Sequence, residues 1–503
     1  MDAQPQNQAT HPEGTPPVLK GPARIAGRTL AIAAAILAAS TALRITAAGS
    51  DLWFDEVWSL WLAEKISNPI EIFSALRETN NHHANTLWLW LTGPSENFLV
   101  LRAPALLLGS ASVLLAGAIA RPRGRAEALF AMTLVGGSYL MIDSASEARG
   151  YAPMLGFALL ALFALERVRQ RRAAKLGALL PAALVFNAAC LLALAFQASF
   201  AIAYAAFGIY WVCFALRERP SIRSWLLEGG LLHALPLAGF GLLYLAWGQH
   251  ASIGGTLFPT LRVLSRTAML AVGLEGGTAM MAIGSTLAAV LLVAGLFLVA
   301  GRDMPRALFY AVGIVGAPCV LLWQLEPSFL APRYFLPSVL FFLLLAAEVL
   351  AALWRRGGAR RAAVCAGLVL FLVGNLHSAW PLLTGGRGDF ARALSIIEHE
   401  RGSSEVSIGA RFDFRHRLLF GYYARRSAPT LPLRFVAGED WPDNGPDWLV
   451  VALPNPDGQV AETVRGPRGN PYRRAAAFEA IRGREPQWFL YRAIRSGPRS
   501  ETR

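Results

Sequence analysis

The chain has 503 residues, of which 54% are hydrophobic and only 16% charged, and its mean hydropathy is +0.41. Soluble domains carry about 25% charged residues, so this composition excludes an ordinary soluble protein and indicates an integral membrane one. The formal net charge of +14 does not point to nucleic acid. The excess sits in short clusters between apolar runs, as the positive-inside rule expects, and no basic stripe with interleaved aromatics is present.

Residues 1–24 read as a disordered cytoplasmic tail, rich in Gln, Pro and Thr at its start and basic at its end. Apolar spans then follow at 25–48, 103–120, 126–143, 152–167, 177–195, 199–216, 226–247, 278–300, 307–325, 334–354 and 362–383, eleven in all. The first is long for a signal sequence and is read as an uncleaved helix. With the N-terminus inside, the inner segments carry twenty basic residues and the outer loops before residue 384 carry seven. That asymmetry sets a cytoplasmic N-terminus in the inner (plasma) membrane. Thr86–Thr92 is apolar but too short to cross; it reads as a helix lying in the outer interface, with Trp88 and Trp90 at headgroup level. Leu264–Leu274 is likewise short, and reads as interfacial or re-entrant.

An odd number of spans puts residues 384–503 outside as a small soluble α/β domain. Strands are expected over Val406–Gly409, Trp448–Ala452 and Trp488–Tyr491, a helix over Asp389–Arg401, and an exposed loop over Gly466–Pro471. The fold class is therefore an α-helical polytopic membrane protein, residues 25–383, with an extracytoplasmic α/β domain. The four cysteines all fall inside apolar spans without metal-ligand spacing, and read as small buried residues.

Sorted by this topology, the unusual polar residues collect on the outer side. Asp55 and Glu56 directly follow the first span, flanked by Trp53, Trp58 and Trp61. Carboxylates at that depth persist mainly where they face a polar cavity or do chemistry. The first loop continues with Asn80-Asn-His-His-Ala-Asn85 and ends at Arg102. The second loop holds Glu147, Arg149 and Tyr151, and the loop before the tenth span holds Arg333 and Tyr334. Each residue also has a plain structural reading. The tryptophans can anchor the interface, the histidines can sit at headgroup level, and Arg102 and Arg333 can snorkel at helix ends. Their joint collection at one depth favours a site.

Five segments carry a family resemblance: Asp55-Glu56, His82-His-Ala-Asn-Thr-Leu87, Arg102-Ala-Pro-Ala105, Glu147-Ala-Arg-Gly-Tyr151 and Arg333-Tyr-Phe-Leu-Pro337. In order and sidedness they resemble the GT-C superfamily of polyprenyl-phosphate-sugar-dependent glycosyltransferases, and within it the protein O-mannosyltransferase and lipid A aminoarabinose transferase group. That group has an Asp-Glu pair after its first helix, then motifs like His-Pro-Pro-Leu, Arg-Leu-Pro-Ser, Glu-Ala-Arg-Pro-Tyr and Arg-Tyr-Leu-x-Pro. Here His-Pro-Pro-Leu is replaced by His83-Ala-Asn-Thr86, in a loop that helps shape the acceptor side in the family.

The resemblance implies transfer of a sugar from a polyprenyl phosphate to a hydroxyl of a cell-envelope acceptor, be it glycolipid, polysaccharide or protein. A phosphate leaving group departs as a stable anion, so one carboxylate suffices as base. Asp55 is expected in that role, with Glu56 positioning the acceptor or supporting Asp55. Arg333, Arg149 and Arg102 are expected on the phosphate, and His82, His83, Glu147, Tyr151 and Tyr334 in the substrate site. Single displacement would invert the anomeric carbon. No cofactor is required; a divalent metal is possible, since Asp55, Glu147, His82 and His83 are adequate ligands, though no spacing demands one. Two other classes compete. A transporter or flippase of lipid-linked sugars would use the same arginines but would show broken helices with internal charges and paired repeats. A membrane scaffold presenting residues 384–503 would leave the outer polar loops without purpose.

In a background lacking the native cysteines, a cysteine at position 58 is expected to react with an impermeant maleimide in intact cells, and one at 171 only after permeabilisation. Labelling of 171 from outside would invert the topology.

Overall fold

The computed structural model describes residues 22–171, 176–217, 221–251, 259–324, 330–400, 405–410, 413–453, 461–466, 469–478 and 487–495. Residues 1–21 of the expected tail lie outside these, as do Lys20, Arg172, Lys175 and Arg219 of the basic clusters, Arg401 of the expected helix, and residues 467–468 of the expected loop.

Helices run in chain order as α1 (Pro22–Ala48), α2 (Phe54–Glu64), α3 (Glu71–Ser74), α4 (His83–Thr92), α5 (Phe98–Leu101), α6 (Ala103–Ala120), α7 (Arg125–Gly137), α8 (Tyr139–Ala145), α9 (Tyr151–Arg171), α10 (Leu176–Phe196), α11 (Phe200–Arg217), α12 (Ile222–Ala246), α13 (Thr260–Ala271), α14 (Thr278–Ala300), α15 (Met304–Ala311), α16 (Ala317–Gln324), α17 (Leu336–Arg355) and α18 (Ala359–Gly385). Among the described residues ten helical stretches are long and apolar enough to cross a bilayer, and α7 with α8, bent by 61°, makes an eleventh when taken as one span. The eleven expected spans are all present. The molecule is a multi-pass membrane protein. Its most enclosed span is the one from Pro332 to Arg355, while Leu30, Leu242 and Phe297 point outward from other spans as lipid-facing side chains do. The short helix expected at Thr86–Thr92 is α4, which begins at His83; α13 covers the Leu264–Leu274 segment and packs on α14.

The break between α7 and α8 has an identifiable chemistry. Ending α7 at Gly137 leaves carbonyls without partners. Arg44, fully buried on α1, reaches across and donates to the carbonyls of Val135 (3.2 Å) and Gly136 (3.1 Å), and to Ser40 on its own helix (2.9 Å). A cation at a helix C-terminus also meets the negative end of the helix dipole. On the other side of the break, the Tyr139 N–H donates to Asn375 Oδ1 of α18 at 2.7 Å. The bend delivers α8 directly into the loop that carries Glu147 and Arg149.

After α18 come α19 (Phe390–Glu400), β1 (Val406–Ala410), α20 (Asp413–Ser427), β2 (Leu433–Phe435), β3 (Trp448–Leu453), β4 (Thr463–Arg465), β5 (Pro471–Phe478) and β6 (Gln487–Ala493). The three expected strands are β1, β3 and β6 and the expected helix is α19; α20, β2, β4 and β5 were not anticipated. The sheet order is β2-β1-β3-β6-β5-β4, parallel across β2, β1 and β3 and antiparallel from β3 onward. Its core stacks Phe390 on Trp488 (4.9 Å) and Trp488 on Phe478 (4.0 Å). The cluster does not stop at the sheet domain. Leu52, Val57, Leu60 and Ala148, from the segments that follow α1 and α8, belong to it, and Tyr423 Oη donates to the Leu52 carbonyl at 2.9 Å. The sheet domain is thus docked on α2 by a shared apolar core.

Arg44→Leu leaves two buried carbonyls of α7 unpaired, at about 1–3 kcal/mol each. It is expected to lower the unfolding temperature in detergent by several degrees, with Arg44→Lys intermediate. An unchanged midpoint would show that Asn375 alone holds the break.

Candidate functional site

The loop after the first span starts α2 at Phe54, so Asp55 and Glu56 occupy its first turn, where carboxylates meet the positive end of the helix dipole. Although adjacent, they do different things. Asp55 Oδ2 receives two guanidiniums, Arg149 Nη1 at 2.8 Å and Arg333 Nη1 at 2.9 Å. Both guanidiniums lie over the Trp53 ring, at 5.7 and 5.5 Å from its centroid. Trp53 is thus a buried floor beneath the pair, not an anchor in the interface. Arg149 also donates to Asn80 Oδ1 (2.8 Å), whose Nδ2 returns to the Asp55 carbonyl and to Ser59 Oγ, both at 2.9 Å. Arg149 is almost sealed, whereas the Arg333 side chain is 25% exposed and is the open edge of the group.

Glu56 is wholly buried, and protein donors take both its oxygens. Arg102 binds it bidentately, Nε to Oε1 at 2.8 Å and Nη2 to Oε2 at 2.7 Å. The Ala148 N–H adds 2.6 Å to Oε1 and the Trp53 N–H 3.2 Å to Oε2. Burial pushes the carboxyl up, but the Arg102 charge and its hydrogen bonds overcome this and hold it below the ordinary range. Arg102 spends its other protons on the carbonyls of Ala48, Ser50 and Asp51. The expectation of Glu56 at the acceptor and Arg102 on the phosphate therefore meets a different geometry. The two form a closed clamp with no oxygen or proton of the carboxylate–guanidinium contact left for a substrate.

His82 and His83 also part company. His82 is buried beside Tyr151, with ring centroids 5.2 Å apart, and its Nδ1 lies 2.9 Å from Gln197 Oε1. Burial, and then the neighbouring Arg149 charge, drive its pKa well below the usual value, so it is neutral. His83 is slotted between Phe73, stacked at 4.9 Å, and Trp247, edge-on at 4.9 Å. Its contacts are those of an aromatic wedge. Tyr151 supports Arg149 from below, 5.0 Å from guanidinium to ring, and Tyr334 does the same for Arg333 at 5.9 Å. Glu147 is found with Arg387 (Nε to Oε1, 3.8 Å), which also binds Asp143 Oδ1 (2.9 Å), Ser146 Oγ (2.8 Å) and the carbonyls of Asp143 and Ser146. Among the described residues no three His, Cys, Asp or Glu side chains converge to hold a metal ion, and the carboxylate best placed for one, Asp55, faces two cations.

The loops expected to share a depth are thus joined. Asp55, Arg149, Arg333, Tyr151, Tyr334 and His82 form one group; Glu56 with Arg102 and Glu147 with Arg387 flank it as buried pairs. No family model and no curated protein matches this sequence. The chain is similar in structure to ArnT from Cupriavidus metallidurans bound to undecaprenyl phosphate, with TM-score 0.52 and 13% identity over 95% of this chain and 99% of that one. It is similar also to ArnT from Cupriavidus metallidurans in the apo state, with TM-score 0.52 and 13% identity over 83% and 86%. The chain has the GT-C fold.

Within the GT-C frame, five contributors were given no role in the site by sequence. Arg387 sits in the glycine-rich link Gly385-Gly-Arg-Gly388, which reads as a flexible tether. Gln197 lies in the tight turn between α10 and α11. Asn80 and Asn85 fall in the recognised polar stretch, and Asn85 donates to the Ala148 carbonyl at 2.8 Å, tying the first loop to the second. Trp53 reads as one aromatic among several. Only the asparagines carried a signal, their clustering beside the histidines.

His83 has its pKa lowered by burial from 6.5 to about 4. A histidine held neutral in the fold stabilises it fully above 6.5, and that stability is lost as pH falls from 6.5 towards 4. The loss amounts to about 3 kcal/mol at the acid end. His83→Phe, which keeps the aromatic wedge, is expected to flatten the decline of unfolding temperature between pH 6.5 and 4. An identical decline in the variant would assign it to other groups.

Proposed function

We propose that the chain is an integral membrane glycosyltransferase that moves a sugar from a polyprenyl phosphate to a hydroxyl on the outer face, with inversion at the anomeric carbon. The observation that carries this reading is the Asp55 carboxylate held by two guanidiniums over Trp53, at the outer end of the first span. The fold supports it, being shared with a protein whose structure contains undecaprenyl phosphate.

Arg149 and Arg333 receive the phosphate, since guanidiniums bind phosphate oxygens bidentately and stabilise the charge that grows as the glycosidic bond breaks. Asp55 accepts the proton of the attacking hydroxyl. As long as both guanidiniums hold Oδ2, that oxygen is a poor base. A phosphate arriving at the open Arg333 edge competes for the same donors, and its negative charge raises the basicity of Asp55 where the acceptor will stand. Glu56 and Arg102 are positioning residues that hold α2 against the second loop. Orientation follows the charge asymmetry, with this site and the sheet domain extracytoplasmic.

The broken α7–α8 span is the feature that a lipid-sugar transporter would share. Its polar groups, Arg44 and Asn375, are spent on the carbonyl and amide groups at the break, which supports a static role. A donor screen with purified protein, radiolabelled polyprenyl-phosphate sugars and membrane extract distinguishes the two, because a transporter moves label across vesicles without forming a new covalent product.

Asp55→Asn is expected to abolish transfer while retaining undecaprenyl phosphate binding. Turnover at the wild-type rate would make Asp55 a structural residue and remove the base. Arg333→Lys keeps the charge but not the fork and is expected to lower kcat. Arg333→Ala is expected to weaken lipid-phosphate binding as well, by about 1.5–3 kcal/mol. Unchanged binding in the alanine variant would leave the phosphate to Arg149.

A further inference from the structure

We infer that His82, locked in one tautomer by Gln197, presents a neutral Nε2 lone pair that accepts a hydrogen bond from a carbohydrate hydroxyl beside Asp55; this rests on the transferase reading above. Gln197 Oε1 can only accept, so the 2.9 Å contact makes His82 Nδ1 the protonated nitrogen. Nε2 is then an acceptor. It is fully buried, and no described residue pairs with it. A buried acceptor without a partner is costly, and the site retains it. Water would be a bland occupant, but the surroundings are those of the group that handles substrate. His82 packs on Tyr151, and the charges of Arg149 and Asp55 both act on its ring. Protonation there would place a cation against Arg149, so the imidazole stays an acceptor through the neutral range.

Gln197 reaches this point because of Gly150. A Cβ on Gly150 would lie 1.8 Å from the Phe196 carbonyl oxygen and 3.2 Å from His82 Cβ. Only glycine lets the turn after α10 close on the second loop, and Phe196 is further held by stacking on Phe157 at 5.8 Å. Gly150, Gln197 and His82 therefore form one unit. It is a point of hydroxyl recognition, where loss of a matching hydroxyl leaves a buried acceptor unpaired and specificity is correspondingly sharp.

The hydroxyl can belong to the donor sugar or to the acceptor. The test uses the full chain in lipid nanodiscs with 15N-labelled histidine, the His82 signals being assigned by their loss in His82→Gln. The expected result is the Nδ1–H tautomer in the free protein, with Nε2 moving on addition of undecaprenyl phosphate-glucose but not of undecaprenyl phosphate; this assigns the donor sugar. Movement only with methyl glucoside, added together with undecaprenyl phosphate, assigns the acceptor hydroxyl. An Nε2–H tautomer, equal movement with bare undecaprenyl phosphate, or no movement with any of the three overturns the inference. Gln197→Leu is expected to mix the tautomers and raise the KM of the ligand so assigned about tenfold, whereas Gln197→Glu, which still accepts from Nδ1–H, keeps one tautomer and a KM near wild type. Loss of the tautomer preference without a change in KM would also overturn it. If no sugar is transferred under any condition, the transferase reading fails on its own, because the tautomer and its response to the lipids are read without turnover.

Discussion

The buried Glu56–Arg102 pair is the contact on which the site depends. Arg102 opens α6 and reaches back to three carbonyls at the end of the first span, while Glu56 holds the Trp53 and Ala148 amides. One ion pair thus ties three chain regions that are distant in sequence. Such a pair contributes little net stability, because desolvating both charges offsets most of their attraction. Its value lies in geometry. A bidentate contact with every remaining proton and lone pair spoken for tolerates little displacement, and breaking it strands a buried charge at about 3–5 kcal/mol. Asp55, one residue away on the same helical turn, inherits that rigidity while its carboxylate lies against the part-exposed Arg333.

The same device recurs at the third span. Breaking a helix within a bilayer leaves amides and carbonyls that lipid cannot satisfy. Arg44 serves the C-terminal end of α7, and Arg387 serves the C-terminal end of α8 through the carbonyls of Asp143 and Ser146. Two arginines thus cap two half-helices, each meeting the negative end of a helix dipole. Arg387 belongs to the link between the last span and the sheet domain. That link is therefore tied to α8 and the second loop, and through the Tyr423–Leu52 bond the domain also rests on the first loop. The sheet domain is built into the site's support.

Spans, fold class and the gathering of the polar loops were legible because hydropathy and chain order are one-dimensional properties. The division of labour among the polar residues was not. Asp55 and Glu56 are adjacent and chemically alike, yet one sits at an edge and the other in a closed clamp; burial, which no local pattern encodes here, decides between them. Arg387 was hidden by its glycine neighbours, and Arg44 by its position inside an apolar run, where it reads as the end of a span. In the sheet domain, β1, β3 and β6 are continuous apolar strands and were found. The edge strands β2 and β4 have three residues each, and β5 sets two arginines before three alanines, so neither length nor hydrophobic period marks them. The helix α20 is interrupted by Gly421 and is rich in arginine, which mutes its apolar face.

Charge balance links this architecture to the proposed chemistry. Asp55 with Arg149 and Arg333 carries one net positive charge, close to that needed to neutralise a phosphodiester-linked sugar with its single negative charge. Transfer of the sugar converts the diester to a monoester, whose charge at neutral pH approaches −2. The same two guanidiniums then hold more negative charge than they held in the donor, and electrostatic stabilisation grows along the reaction coordinate, as catalysis requires. Asp55 opposes that build-up only while ionised. When it takes the proton of the attacking hydroxyl, its charge disappears as the phosphate gains one, so the group's total charge stays constant while its location shifts by a few ångströms. In a buried site, where moving charge is cheaper than creating it, a carboxylate and a phosphate competing for one pair of arginines form a self-consistent arrangement for this transfer.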